Sequence, residues 1–319
     1  MPSGHAPVLM DEVVGLLAPE PGGVYVDGTA GLGGHASAIA VLLGPSGRVV
    51  LNDLDPGNLS LASDAVRSVE GGPATVDSVY GAFDDLPARL SEMGVQADSV
   101  LLDLGFASVQ VDDPERGLSF KNDGPLDMRL DPDGPVKAAD LVGQLDERDL
   151  ADVIYRFGEE RASRRISRKI VEARAAEPIL TTGRLAELVR SALPRSGSRP
   201  GSRRGPRIDP ATRTFQALRI AVNDEIGRLE RLLASIEVES RAVASGGGSW
   251  LAPGCRIAII SFHSLEDRPV KQAFRGLVDN GLAEALTRKP LVASDAERDD
   301  NPRARSAKLR GVMLLGTED

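Results

Sequence analysis

The stretch "DGTAGLGGH", residues 27–35, decides how the rest of the chain is read. Four glycines, an aspartate and a histidine fall within nine residues, directly after the apolar run "GVYV" (23–26). A loop that rich in glycine brings backbone close to something. The partner is a phosphate, a nucleoside or only the loop's own helix. "GLGGHA" (31–36) matches G-x-G-x-x-A. Alone, that pattern is a weak sign of a dinucleotide site, and a tight strand-to-helix turn without ligand also produces it.

Working outward, "GVYVDG" (23–28), "GRVVLND" (47–53), "TVDSVYG" (75–81) and "DSVLLDLG" (98–105) read as strands, each ending in glycine or aspartate. Helix-like segments lie between them, and "SAIAVLLG" closes on Gly44 as a helix C-cap. Alternating βαβα units imply a parallel sheet with helices on both faces, which binds ligands at the carboxyl ends of its strands. Asp27, Asp53 and Asp103 all fall at such ends. Asp27 precedes Gly31 by four residues, whereas a dinucleotide-binding strand usually runs directly into the first glycine. An acid followed by glycines suits a ligand with a cation and no pyrophosphate. S-adenosylmethionine carries an ammonium and a sulfonium, and Asp27 is placed to attract the ammonium. Asp53, about twenty residues on, suits ribose hydroxyls and fits nicotinamide cofactors equally. Three acids at neighbouring strand ends favour the methyl donor over NAD. Taken singly, each aspartate also reads as a helix N-cap.

The chain has 319 residues, 41% hydrophobic and 27% charged, the composition of a globular protein with one large domain or two ordinary ones. Aromatics make up 3%, so the core is aliphatic. No apolar run is long enough to span a bilayer, and no signal peptide is evident. Cys255 is the single cysteine, which rules out an internal disulfide and fits a cytoplasmic location. Net charge is −9, but Arg156–Arg219 holds sixteen Lys or Arg against six Asp or Glu. That window is +10 and the remainder −19, compatible with a polyanion bound at one basic face, or with arginines that only solvate helices.

Residues 114–135 read as an ordered loop and 137–193 as helices. "RSGSRPGSRRGPR" (195–207) is a low-complexity insertion. Residues 214–236 read as one amphipathic helix, with apolar steps of three and four from Phe215 to Ile236. Residues 239–249 read as a second flexible insertion, 255–264 as a buried strand and 307–316 as a final edge strand. The α/β domain is therefore expected over 1–112 and 210–319, with a helical substrate-recognition domain inserted at 113–209.

"HAPVLMDEVV" (5–14), "DGTAGLGGHAS" (27–37), "DLGFASVQVDDPERGLSF" (103–120), "DGPLDMRL" (123–130), "FGEERASRRISRKI" (157–170), "DPATRTFQALRIAVNDE" (209–225), "ISFHSLEDRPVK" (260–271) and "NPRARSAKLR" (301–310) occur in this order. Together they resemble the bacterial RsmH (MraW) family, from about residue 5 to 311. The resemblance implies a class I S-adenosylmethionine-dependent methyltransferase, with a Rossmann-like, mostly parallel doubly wound sheet and an inserted all-helical domain. It implies methylation of the exocyclic N4 of cytidine 1402 of 16S rRNA, in the decoding centre of an assembled small subunit or a late precursor. It implies that Gly33, Gly34 and His35 line the cofactor site, that Asp53 takes the ribose, that Phe83 lies against the adenine, and that Asp103 and Gln110 complete the pocket. The family's usual "DLGxSS" reads "DLGFAS", with Ala107 in place of the first serine. Orientation of the base then falls to Ser108 or to backbone.

Methyl transfer is in-line, so the enzyme must hold the acceptor nitrogen about 3 Å from the methyl carbon. Cytosine N4 is a weak nucleophile, and acceptors on its hydrogens raise its electron density. Asp103, Ser108 and the carbonyls of Leu104 or Gly105 are the candidates. Such enzymes reach bases that are single-stranded or flipped out. No N/D-P-P-Y/F stretch is present, which favours RNA over DNA. No pair among His5, His35 and His263 has metal-ligand spacing, so no metal is expected. His263 faces either the crevice as a catalytic residue or Glu266 and Asp267 as a structural one. Asp127 and Arg129 either position substrate RNA or form an internal salt bridge. Arg161, Arg164, Arg165, Arg168 and Lys169 fall on a helix, four of them on one face by i, i+3, i+4, i+7, as a phosphate-binding or a solvated face. Two rival functions are an NAD-dependent oxidoreductase and a non-catalytic, S-adenosylmethionine-binding ribosome-assembly factor. No membrane partner is expected, and the sequence leaves a homodimer open.

Overall fold

The computed structural model describes residues 7–193 and 209–316. His5 and the 195–207 insertion lie outside these residues. Among the described residues, seven strands form one sheet: β1 Val24–Asp27, β2 Arg48–Asp53, β3 Thr75–Tyr80, β4 Ala97–Asp103, β5 Leu251–Ser261, β6 Ala283–Ala285 and β7 Lys308–Leu314. The order is β3-β2-β1-β4-β5-β7-β6. Strands β1 to β5 are parallel, and β7 runs antiparallel to both β5 and β6. The expected parallel sheet is present. The strand expected at the edge is not there: β7 is interior, and the three-residue β6 forms that edge.

Two compact units result, Met1–Gly105 with Ile226–Asp319, and Phe106–Glu225. These limits differ from the expected 112/113 and 209/210. The short helix Ser108–Asp112 and the helix Thr212–Asn223 fall in the second unit.

In the first unit, alternate residues of the central strands face opposite sides, the period of a strand. Val26, Val50, Val100 and Leu102 meet Leu86, Leu90, Leu229, Leu233 and Ile236. Tyr25, Val49, Leu51 and Leu101 meet Val13, Leu17, Ile39, Leu43 and Ala62. Both faces are covered, which is why these strands read as unbroken apolar runs. Gly44 caps the helix Gly34–Leu43 as expected. Asp55 caps Pro56–Arg67 by accepting from the N–H groups of Gly57 and Asn58.

In the second unit, helices Ala138–Gln144, Glu147–Gly158, Ser163–Arg174, Thr182–Ala192 and Thr212–Asn223 enclose Leu150, Ile154, Ile166, Ile170, Leu185, Val189 and Leu218. Phe120 meets Phe215 edge-on at 4.7 Å.

Residues 214–236 are not one helix. The chain breaks at Asp224, which takes a left-handed conformation (φ 49°, ψ 38°) between Thr212–Asn223 and Glu225–Ala244. Apolar periodicity continues across the break, so the pattern alone hides it. The 239–249 insertion is also shorter than expected. The helix runs to Ala244 with Ser240 and Val243 buried, which leaves only 245–249 outside helix and strand. No helix among the described residues is long and apolar enough to cross a membrane.

Candidate active site

Strand order reverses between β1 and β4, the switch point beside which doubly wound sheets bind ligands. Asp27 ends β1, Asp103 ends β4 and Asp53 ends the next strand out, β2. The intervening loop is stitched to all three strands. Gly28 N–H donates to Leu101 O at 2.8 Å, and Ala30 N–H to Asn52 O at 2.8 Å. Asp103 N–H donates to Thr29 Oγ1 at 2.6 Å. Asn52 Nδ2 donates to Gly28 O and Gly81 O, at 3.0 and 3.1 Å.

Two glycines in the loop are required for different reasons. Gly33 has φ 79°, and a Cβ there would lie 2.9 Å from Ala62 Cα. Gly31 has φ 52°, but a Cβ would meet only Thr29 O at 3.9 Å. The first is needed for packing, while the second leaves open space above the loop. Gly31 N–H donates to Asp53 Oδ2 at 2.8 Å. A Cβ on Gly34 would collide with the Pro7 ring at 2.5 Å. No side chain caps the helix Gly34–Leu43 at its N-terminus.

The three carboxyls differ in their surroundings. Asp27 is 2% exposed. Its Oδ2 accepts from Tyr25 Oη at 3.0 Å and its Oδ1 from Thr29 N–H at 3.1 Å. Burial, reinforced by Asp53, pushes its pKa up to about 7. Asp53 accepts from Asp55 N–H and Gly31 N–H, which only partly offset burial, and its pKa rises to about 6. Asp103 is raised furthest, to about 8, by burial, Asp27 and Glu266. Among the described residues, its Oδ1 is buried with no hydrogen-bond partner. An unmet buried acceptor costs about 1–3 kcal/mol unless something supplies it. Three carboxyls held above their ordinary range are what a cationic ligand would relieve.

His35 Nε2 lies 2.9 Å from Val8 O. Its Nδ1 is 3.9 Å from Asp103 Oδ2. Burial lowers the His35 pKa and raises that of Asp103, and both shifts weaken an ion pair between them. Phe83 follows β3 in a short 3₁₀ turn, half-buried against the first unit's core. His263 Nε2 is 3.2 Å from Glu266 Oε1. Glu266 Oε2 accepts from Phe262 N–H at 2.8 Å and His263 N–H at 3.3 Å. This is the structural alternative for His263. Asp267 instead pairs with Lys308 and Arg310.

In the second unit, Gln110 is 6% exposed, and its Oε1 accepts from Ala107 N–H at 2.9 Å. Ser108 opens the helix Ser108–Asp112. Arg129 grips Asp127 bidentately at 2.7 and 2.8 Å and donates to Gly134 O, so this pair forms the internal salt bridge. Arg164, Arg165, Arg168 and Lys169 are exposed on the helix Ser163–Arg174. Arg161 lies in the turn before it, so the four arginines do not share one helical face. Arg168 meets Glu147 at 3.4 Å, an exposed pair worth little.

Tyr25, Thr29 and Asn52 bond to the carboxyls and loop of the candidate site, contacts that residue spacing alone does not signal. Each lies close in sequence to a candidate residue, but only the folded loops reveal their bonds. Glu266, which the sequence offers as a partner of His263, also acts on Asp103.

A model of the MraW methylase family matches residues 2–314. Ribosomal RNA small subunit methyltransferase H of Acidobacterium capsulatum is 46% identical over 97% of this chain and 97% of its own. The protein of that name from Paramagnetospirillum magneticum is 44% identical over 98% and 96%. Among solved structures, a methyltransferase homologue from Pyrococcus horikoshii is 14% identical, covers 96% of this chain and 66% of its own, and has a TM-score of 0.41.

Proposed function

The chain belongs to the MraW methylase family, and on that premise we propose that it transfers a methyl group from S-adenosylmethionine to the exocyclic N4 of cytidine 1402 of 16S rRNA. The acceptor is the small ribosomal subunit or a late precursor of it, in the bacterial cytoplasm. Full-length relatives named for small-subunit rRNA methylation support the substrate class. The choice of nucleotide and atom rests on the motif resemblance.

The observation that carries the chemistry is the buried Oδ1 of Asp103 at the switch point, which has no hydrogen-bond partner among the described residues. When bound, S-adenosylmethionine supplies an electrophilic methyl on a sulfonium. The raised carboxyls of Asp27, Asp53 and Asp103 supply a negative field for its cationic groups. Asp27 acts from beneath the loop, because both its oxygens are already engaged. Asp53 keeps lone pairs for ribose hydroxyls beside the two N–H groups it accepts. Asp103 Oδ1 accepts a hydrogen from the acceptor amine, which raises electron density on the attacking nitrogen, and takes up the proton released after transfer. A carboxyl poised near neutral pH suits that task. The second unit, with its exposed basic helix, binds the RNA backbone through Arg161, Arg164, Arg165, Arg168 and Lys169. The Asp127–Arg129 pair shapes the loop below.

Asp103→Asn keeps the side chain's shape and removes its charge. The variant is expected to fold with a thermal unfolding midpoint no lower than wild type at neutral pH and to lose about a hundredfold to a thousandfold in single-turnover methyl transfer. Turnover within a few-fold of wild type contradicts the assigned role.

A further inference from the structure

Phe106 belongs to the second unit and stands apart from the chain's other phenylalanines. Of the seven, it alone is exposed, at 37%. Its surroundings hold it still. The Arg219 guanidinium lies over the ring, 4.5 Å from the centroid. That guanidinium is fixed by a bidentate pair with Glu225, at 2.7 and 2.8 Å, and both side chains are nearly buried (12% and 11% exposed). The next residue is fixed too, because Gln110 accepts the Ala107 N–H. One ring face is therefore backed by a rigid planar cation, while the ring itself remains accessible.

An exposed aromatic ring on a fixed backing is a stacking platform. Every base has a π-face, so such rings accept an unstacked nucleotide without regard to its edge. A guanidinium behind the ring adds a cation–π contact and saves the ordering entropy a free side chain would lose.

We propose that Phe106, backed by the Arg219–Glu225 pair, is a platform on which an unstacked base of the substrate RNA stacks. This rests on the reading of the chain as an rRNA methyltransferase and goes beyond it by naming what holds the base. Stacking supplies affinity and orients the plane of that base.

The test uses the full chain, small ribosomal subunits lacking the modification, and labelled S-adenosylmethionine. kcat and KM for the subunit are measured for Phe106→Ala, Phe106→Leu and Phe106→Trp, and methyl-donor affinity is measured without subunits. Leucine preserves apolar packing but has no π-face. Alanine and leucine are both expected to lower kcat/KM for the subunit by about tenfold to a hundredfold, the range of one lost base stack. Tryptophan recovers most of the loss, and donor affinity is unchanged throughout. A leucine variant as active as wild type overturns the stacking role, as does donor affinity falling in step with activity. Wild-type protein that methylates no small subunit overturns the parent reading and the stacking role with it.

Discussion

At the scale of single residues, the strand-end carboxyls make a specific statement about protons. Asp27, Asp53 and Asp103 are raised to about 7, 6 and 8, each chiefly by burial. A carboxyl raised on folding contributes stability below its ordinary value, and that contribution is lost as pH climbs through the folded value. The ligand-free protein should therefore lose stability between about pH 4 and 8 on account of these groups. Denaturation midpoints against pH check this, and Asp103→Asn should flatten the curve. A bound cation favours the charged forms, so donor binding should release protons near pH 7 and tighten from pH 6 to 8. Calorimetry in buffers of different ionisation enthalpy reads the release directly. No proton exchange would mean that the carboxyls do not face the cation. The glycine loop gives a second contrast. Gly33→Ala forces a Cβ onto Ala62 and should cost about 2–4 kcal/mol. Gly31→Ala meets open space and should cost only about 1 kcal/mol of backbone strain while weakening donor binding. Equal stability losses in the two variants would contradict this packing.

At the scale of elements, the strands were legible and some helix limits were not. Parallel strands buried on both faces leave unmistakable apolar runs, and β1, β2, β3 and β4 lie where those runs do. β6 reads Ala-Glu-Ala, too short and too polar to signal a strand, so the sequence points to β7 as the edge. The break at Asp224 depends on distant chain. Asn223 Nδ2 donates to Met128 O and Arg219 O, and its Oδ1 accepts from Leu130 N–H. No local pattern announces a contact about 93 positions away. Asn223→Ala strands buried backbone groups of the 128–130 segment and should cost about 2–4 kcal/mol in chemical denaturation. Less than 0.5 kcal/mol would show that the bonds contribute little. The helix Ser163–Arg174 carries a prediction of its own. Arg164→Glu with Arg168→Glu should weaken RNA binding and lower the salt slope by roughly 0.7 per lost phosphate contact. Unchanged affinity would identify that helix as a solvated face.

At the scale of the whole molecule, the acidic total concealed a division of charge. The +10 window from Arg156 to Arg219 falls within the second unit, while the strand-end acids fall within the first. The glycine loop and its three aspartates were readable because short chain segments place them. The hydrogen bonds of Tyr25 and Asn52, and the cation over Phe106, were not, because each joins residues whose proximity exists only after folding. On the proposed reading this chain methylates one cytidine of the small subunit. The most direct test incubates it with labelled S-adenosylmethionine and small subunits lacking the modification, then maps the labelled nucleotide by mass spectrometry. The account predicts one label per subunit, on N4 of cytidine 1402. Label on another nucleotide would contradict the substrate assignment. Intact donor binding with no label would contradict catalysis and leave an assembly factor.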